Sequence, residues 1–218
     1  MKIGLIADIH ADLPGLQQAL ALLDAHGVDQ IICAGDLVEK GPHGDAVVAL
    51  LRERAIPAVR GNHDDVIHEN QTWLRGNGDF TSANLLGRLV TPETLVYLDL
   101  LPDTRRLTWP DWPELAGCSL LLAHGAPWSN LAYVQHNSDP AVFQRVAAAA
   151  AADVVVLGHT HTPLLAPVDD TWIVNPGSVC GTYTYGSRTC GVITLPQRSF
   201  QVFDLSSGST VTPKYVTG

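Results

Sequence analysis

Asp8 and His10 stand two residues apart at the end of the apolar run 3–7. In extended backbone alternate side chains share a face, so the carboxylate and the imidazole can converge on one point just beyond the strand. Open α/β sheets keep their ligands at that point. Paired oxygen and nitrogen donors suit a divalent cation such as Zn, Mn, Fe or Ni. Asp-x-His alone carries little weight, since a helix-capping Asp beside a surface His gives the same pattern. Its weight comes from repetition: Asp36 follows the run 28–34, Asn62 and His63 follow 55–60, His124 follows 118–123, and His159 and His161 follow 153–157. Five of the nine histidines fall in these clusters, whereas His26, His43, His68 and His136 lie on helices or loops and read as solvated. Asn62 and His63 are adjacent, so one can enter a coordination shell while the other stands beside it.

The elements that must position these residues are legible from periodicity. The short aliphatic runs bounded by polar residues predict buried parallel strands. Leu13, Leu16, Leu20 and Leu23 share a helical face over 13–26, with Asp12 as N-cap, Pro14 in the first turn and Gly27 as terminator. A second amphipathic helix over 45–54 and a strand over 55–60 complete a β-α-β-α-β unit. The stretch 65–101 turns helical and irregular, with a break at Gly76-Asn77-Gly78, a helix over 81–90 and another opened by Thr91-Pro92-Glu93. It predicts a cap-like insertion which, with Trp128 and Tyr133, shapes the leaving-group side of the site. A strand over 104–109, a helix over 140–152 ending in an alanine run, and strands over 172–174, 189–195 and 200–205 follow, the last ones read as an antiparallel second sheet.

Composition excludes several classes. A chain of 218 residues with 46% hydrophobic and 16% charged residues is one domain with a substantial core. No apolar run approaches the ~20 residues that span a bilayer. Met1-Lys2-Ile3-Gly4 enters a strand at once, which predicts no leader and a cytoplasmic protein. The four cysteines form no Cys-x-x-Cys and read as reduced, buried thiols. A net charge of −9 argues against an extended nucleic-acid surface, while leaving room for a nucleotide-sized substrate at a local positive centre. Nothing in the sequence encodes an oligomeric state.

Taken in order, Asp8-x-His10, Gly35-Asp36, Gly61-Asn62-His63-Asp64, Ala123-His124-Gly125 and Gly158-His159-Thr160-His161 resemble the signature of calcineurin-like metallophosphoesterases. With Asn175-Pro176-Gly177-Ser178 the likeness extends to their compact bacterial and archaeal phosphodiesterase branch. The resemblance implies an α/β (α+β) fold, a four-layer α-β-β-α sandwich of two mixed β-sheets flanked by helices. It also implies two divalent transition-metal ions, of Mn, Fe, Ni or Zn. Asp8, His10, Asp36 and His161 would hold one; Asp36, Asn62, His124 and His159 the other, with Asp36 as bridge. The implied activity is hydrolysis of a small phosphoester, a phosphodiester or nucleotide-type phosphate, through a metal-bound hydroxide, with His63 protonating the leaving group.

Two features depart from that pattern. The loop 35–41 is similar to that of Ser/Thr protein phosphatases, with Glu39 where they carry an Asp that orients the catalytic His and Lys40 where they carry a phosphate-binding Arg. This keeps a phosphomonoesterase or protein phosphatase as an alternative, and a lysine offers a point charge without a bidentate fork. Asp12 stands where Asn or Ser is more usual, either stiffening the metal site or capping the helix. Lys40 and Arg60 are candidate phosphate contacts, and Asp64 reads as a turn or capping residue. A non-catalytic metal-binding scaffold is the alternative from another class, although every ligand position is filled.

Overall fold

The computed structural model describes residues 1–77 and 88–216. Most of the helix expected over 81–90 therefore lies outside the described residues. Two mixed sheets face each other. The first has the order β10-β9-β8-β1-β2, from β1 (Lys2–Ile6), β2 (Gln30–Cys33), β8 (Thr189–Thr194), β9 (Ser199–Asp204) and β10 (Thr210–Val211). The second has the order β11-β6-β7-β5-β4-β3, from β3 (Thr104–Thr108), β4 (Ser119–Ala123), β5 (Val154–Val156), β6 (Leu164–Val168), β7 (Thr171–Asn175) and β11 (Lys214–Tyr215).

Strand alternation builds the layers. Ile3, Leu5 and Ala7 of the first sheet meet Leu120, Leu122, Val154, Val156 and Val174 of the second in the apolar layer between the sheets. The intervening residues point outward. Ile6, Ile31 and Cys33 pack under helices α1 (Leu13–Ala25) and α2 (Gly44–Glu53). Leu121, Ala123 and Val155 pack under Phe143, Val146 and Ala150 of a helix at Pro140–Ala150. The result is the four-layer α-β-β-α sandwich. Removing a fully buried side chain such as Leu5 or Leu122 from it costs about 2–5 kcal/mol.

The other helices described are α3 (Asn62–Asp65), α4 (Ile67–Asn77) and α5 (Pro92–Asp99), which makes Pro140–Ala150 α6. Ile67, Val90 and Leu98 of the 65–101 stretch join the core beneath α1 and α2.

Two expectations change. The predicted strand over 55–60 shrinks to a single parallel bridge between Cys33 and Ala58. The C-terminal strands do not form a separate sheet: β8 pairs antiparallel with β1 from Lys2↔Thr194 to Leu5↔Gly191. β1 would otherwise present an open edge in the middle of the core, and the returning chain covers it. β6 carries no strand pattern in the sequence, because Pro163 and Pro167 flank and interrupt it. Among the described residues, no helix is long and apolar enough to cross a membrane.

Candidate metal centre

The cluster sits beyond the ends of β1, β2, β4 and β5, where the loops that follow them meet the start of α3, which carries Asn62 and His63. Extended backbone does not bring Asp8 and His10 together, as their spacing had implied. Asp8, His10, Asp36, His159 and His161 all have left-handed backbone, with φ of 53°, 48°, 53°, 67° and 54°. For residues with a Cβ this conformation costs about 1–2 kcal/mol each. Main-chain hydrogen bonds hold it in place: Asp8 N donates to Gly35 O at 3.0 Å, and the Ile9 and His10 amides both donate to Asp36 O at 2.9 Å. His159 N donates to Asp8 Oδ1 at 3.0 Å and His63 N to Asp36 Oδ1 at 2.9 Å, so the two carboxylates also tie the loops.

Two groups of ligand atoms result, each within 4.8 Å internally: Asp8, His10, Asp36 and His161, and Asp36, His124 and His159. Asp36 belongs to both. Asn62 joins the second, its Oδ1 lying 3.0 Å from His124 Nε2. Within these groups His124 Nε2 is 3.3 Å from Asp36 Oδ2, His161 Nε2 is 3.4 Å from Asp8 Oδ1, and His10 Nε2 is 3.6 Å from Asp36 Oδ2.

The outer partners of the rings decide which nitrogen faces inward. His124 Nδ1 lies 2.7 Å from Ala34 O and His161 Nδ1 lies 2.8 Å from Tyr185 O. A carbonyl oxygen only accepts, so both Nδ1 atoms carry protons, and in a neutral ring Nε2 turns a lone pair inward. The His124 lone pair then faces Asp36 Oδ2 and Asn62 Oδ1, acceptors themselves. A cation reconciles them. The buried Asp8 Oδ2 and His159 Nε2 also lack a hydrogen-bond partner among the described residues, which leaves both atoms available to a cation. The donor set therefore fits divalent metal.

Without metal, protons answer the same crowding. Burial would lower His124, but the charge of Asp36 and its hydrogen bond outweigh it and hold the ring up at about 9. Burial opposes ionisation of Asp36 too, yet His124 and His10 hold its carboxyl well below the usual range. Burial wins at His10 and His159, which drop to about 4. His63, half-buried and edge-on to His10 with ring centroids 5.0 Å apart, is also lowered by burial.

Residues around the cluster serve as braces. Asp64 Oδ1 accepts from Leu37 N at 2.9 Å and Val38 N at 3.2 Å, and its Oδ2 accepts from Gly61 N at 2.9 Å. It thus locks the Asp36 loop to the Asn62 loop. Gly61 is obligatory, since a Cβ there would fall 2.1 Å from Asp36 Oδ1. Asn175 Nδ2 donates to Gly158 O at 2.7 Å and its Oδ1 accepts from Gly177 N at 2.8 Å, which fixes the turn carrying His159 and His161. This is the physical content of Asn175-Pro176-Gly177-Ser178.

Above the cluster opens a cavity of about 690 Å³, lined by Asp36, Lys40, Asn62, His63, His159 and His161 together with Tyr133, Thr160 and residues 181–185. Residues 1–198 match the calcineurin-like phosphoesterase superfamily domain. The chain belongs to that superfamily. It is accordingly a metal-dependent phosphoesterase. It is similar to a phosphodiesterase of Methanocaldococcus jannaschii, 24% identical over 206 residues that cover 92% of this chain and 97% of the relative. It also resembles phosphodiesterase YfcE of Escherichia coli, 27% identical over 181 residues, covering 82% and 79% of the two chains. Among solved structures, a metallophosphoesterase from Sphaerobacter thermophilus aligns with a TM-score of 0.68 at 24% identity, covering 98% of this chain and 89% of that one.

Not every residue singled out in the phosphoesterase sequence reaches the cavity. Lys40 lines it, but Arg60 does not: its guanidinium is 2.8 Å from Asp65 and 2.9 Å from Asp103, in a separate recess shared with Trp128. Those two carboxylates occupy the charge that phosphate would need. Trp128 lies under the Arg145 guanidinium, 3.9 Å from its ring centroid, whereas Tyr133 does line the cavity. Among the described residues none of 65–101 does. Glu39 makes no hydrogen bond to His63, whose buried Nδ1 has no partner among the described residues. Asp12 caps α1, accepting from Gly15 N at 3.0 Å. His26 and His43 are half-buried rather than solvated, His26 against Phe203 at 4.0 Å between rings. The segment 181–185 has only a weak signal in the sequence: two tyrosines and two threonines between glycines, a composition that also describes an ordinary turn.

Proposed function

We propose that the chain hydrolyses small phosphodiesters or nucleotide-type phosphates at a dinuclear centre. Asp8, His10, Asp36 and His161 would hold one cation and Asp36, Asn62, His124 and His159 the other, with Asp36 as bridge. The observation that carries this is the sharing of Asp36 between two overlapping groups of ligand atoms. Two divalent ions, when bound, polarise the phosphoryl group and lower the pKa of a water toward neutrality so that it can serve as nucleophile. The mixed oxygen and nitrogen donors accept Mn, Fe, Ni or Zn, and Mn is the first to test.

The chain's own residues supply the rest. Lys40 brings a positive charge to the cavity floor where a phosphate oxygen would lie. His63 stands beside Asp36 and Asn62 at the cavity floor and would give a proton to the departing oxygen. Its lowered pKa makes that donation strongest on the acid side of neutrality. The similarity to two named phosphodiesterases over most of the chain supports diesters over monoesters. The four unpaired cysteines support a reducing, cytoplasmic setting.

Elemental analysis of protein purified without chelator, followed by a phosphoester panel on the same sample, tests this reading. About two equivalents of transition metal and faster turnover of bis-(4-nitrophenyl) phosphate than of 4-nitrophenyl phosphate are expected. A strong preference for the monoester would transfer the assignment to a phosphomonoesterase. Metal without any turnover would leave a metal-binding scaffold.

A further inference from the structure

The cavity is far larger than one phosphate needs and falls in the range of pockets that enclose an organic ligand. Its two sides differ in chemistry. The floor carries the carboxylate, imidazoles and Lys40; the wall is formed by Tyr133, Thr160 and residues 181–185, with no charged side chain. Three of the chain's five tyrosines stand there. Their rings are open to solvent, Tyr133 at 61%, Tyr183 at 39% and Tyr185 fully. Exposed aromatic surface gathered around one concavity marks a place where a ligand supplies the missing contact.

Two of the rings are fixed in relation to the centre. Tyr133 lies against His159, with ring centroids 4.2 Å apart and a tilt of 45°. Tyr183 rests on Gly41, immediately after Lys40: a Cβ at position 41 would fall 2.7 Å from the ring and 2.7 Å from the His10 carbonyl. Aromatic surface thus adjoins a candidate metal ligand at Tyr133 and the residue next to Lys40 at Tyr183. We propose that Tyr133 and Tyr183 form a stacking subsite for a planar aromatic substituent of the phosphoester, a nucleoside base or an aryl ring, and so determine substrate choice. This rests on the phosphoesterase reading above and adds the substrate's organic half.

A binding measurement that needs no turnover separates the two ideas. Calorimetry on the Mn-loaded protein compares adenosine 5′-monophosphate, phenyl phosphate and ribose 5-phosphate, which share a phosphate and differ in the ring. One stacked ring corresponds to about a five- to hundredfold tighter binding of the ring-bearing ligand. Tyr133→Leu and Tyr183→Leu are expected to erase that difference, and Tyr133→Phe and Tyr183→Phe to restore it. If phenyl phosphate equals the nucleotide, the substituent is a simple aryl group; if only the nucleotide gains, it is a nucleoside.

In parallel, hydrolysis of thymidine 5′-(4-nitrophenyl phosphate) and of methyl 4-nitrophenyl phosphate is followed by the same released nitrophenolate. A lower KM for the thymidine ester, raised by the Leu variants, is expected. Hydrolysis of both esters with equal KM, together with equal binding of all three ligands, would overturn the subsite and leave the hydrolase standing. Ring-dependent binding without hydrolysis of either ester would keep the subsite and overturn the hydrolase.

Discussion

Asp36 is the residue on which the proposed centre turns, because its carboxylate belongs to both ligand groups and its Oδ1 also receives the His63 amide. Asp36→Ala should therefore lose both metals, measured as equivalents bound after gel filtration; retention of two would show that the bridge is elsewhere. His63 touches the cavity without belonging to either group. His63→Ala should keep both metals while kcat falls about 10²–10⁴-fold, as for loss of a proton donor. Thr184 acts one step further out: its hydroxyl lies 3.0 Å from His161 Nδ1, beside the Tyr185 carbonyl. Thr184→Val should weaken metal binding about 10- to 100-fold at the position served by His161. Titration of metal into the apo variant should show one site shifted and the other unchanged.

At the scale of elements, the loops do the positioning and the strands anchor them. Left-handed residues cluster in the turns after β1, β2 and β5, so the site stores backbone strain that the surrounding hydrogen bonds must hold. Asp64 is the principal tie, with three main-chain donors converging on one buried carboxylate. Asp64→Ala should cost about 1–3 kcal/mol or more in urea unfolding, because those donors are left without partners in a dry interior. Metal affinity should fall with it, since the Asp36 and Asn62 loops separate. Much of this level was readable beforehand: apolar runs marked β1, β2, β4 and β5, and Asp12, Pro14 and Gly27 bounded α1. The strand expected after α2 shortens to a bridge, because Ala55-Ile56-Pro57-Ala58 has strand-like apolarity but Pro57 has no amide to donate to a ladder.

Across the whole molecule, the proposed metals would compete with protons for one buried centre. In chelated protein the His124 pKa is raised from 6.5 to about 9, so its stabilising contribution is complete below 6.5 and is lost as pH rises through about 9. The melting temperature of chelated protein should fall across that window more steeply than that of metal-loaded protein, whose cations take the place of the proton. Parallel curves would mean that metal is not held against His124. The sequence by itself determined the chemistry available and its order along the chain: residue types are fixed covalently, and strand ends announce themselves through apolar runs. Only the tertiary structure decided that Asp8 and His10 converge through left-handed turns, that Arg60 is taken by Asp65 and Asp103, and that residues 181–185 wall the cavity and hold His161. Each of these depends on at least one partner 20 or more residues away in the chain, and periodicity within a segment carries no record of what another segment will place beside it.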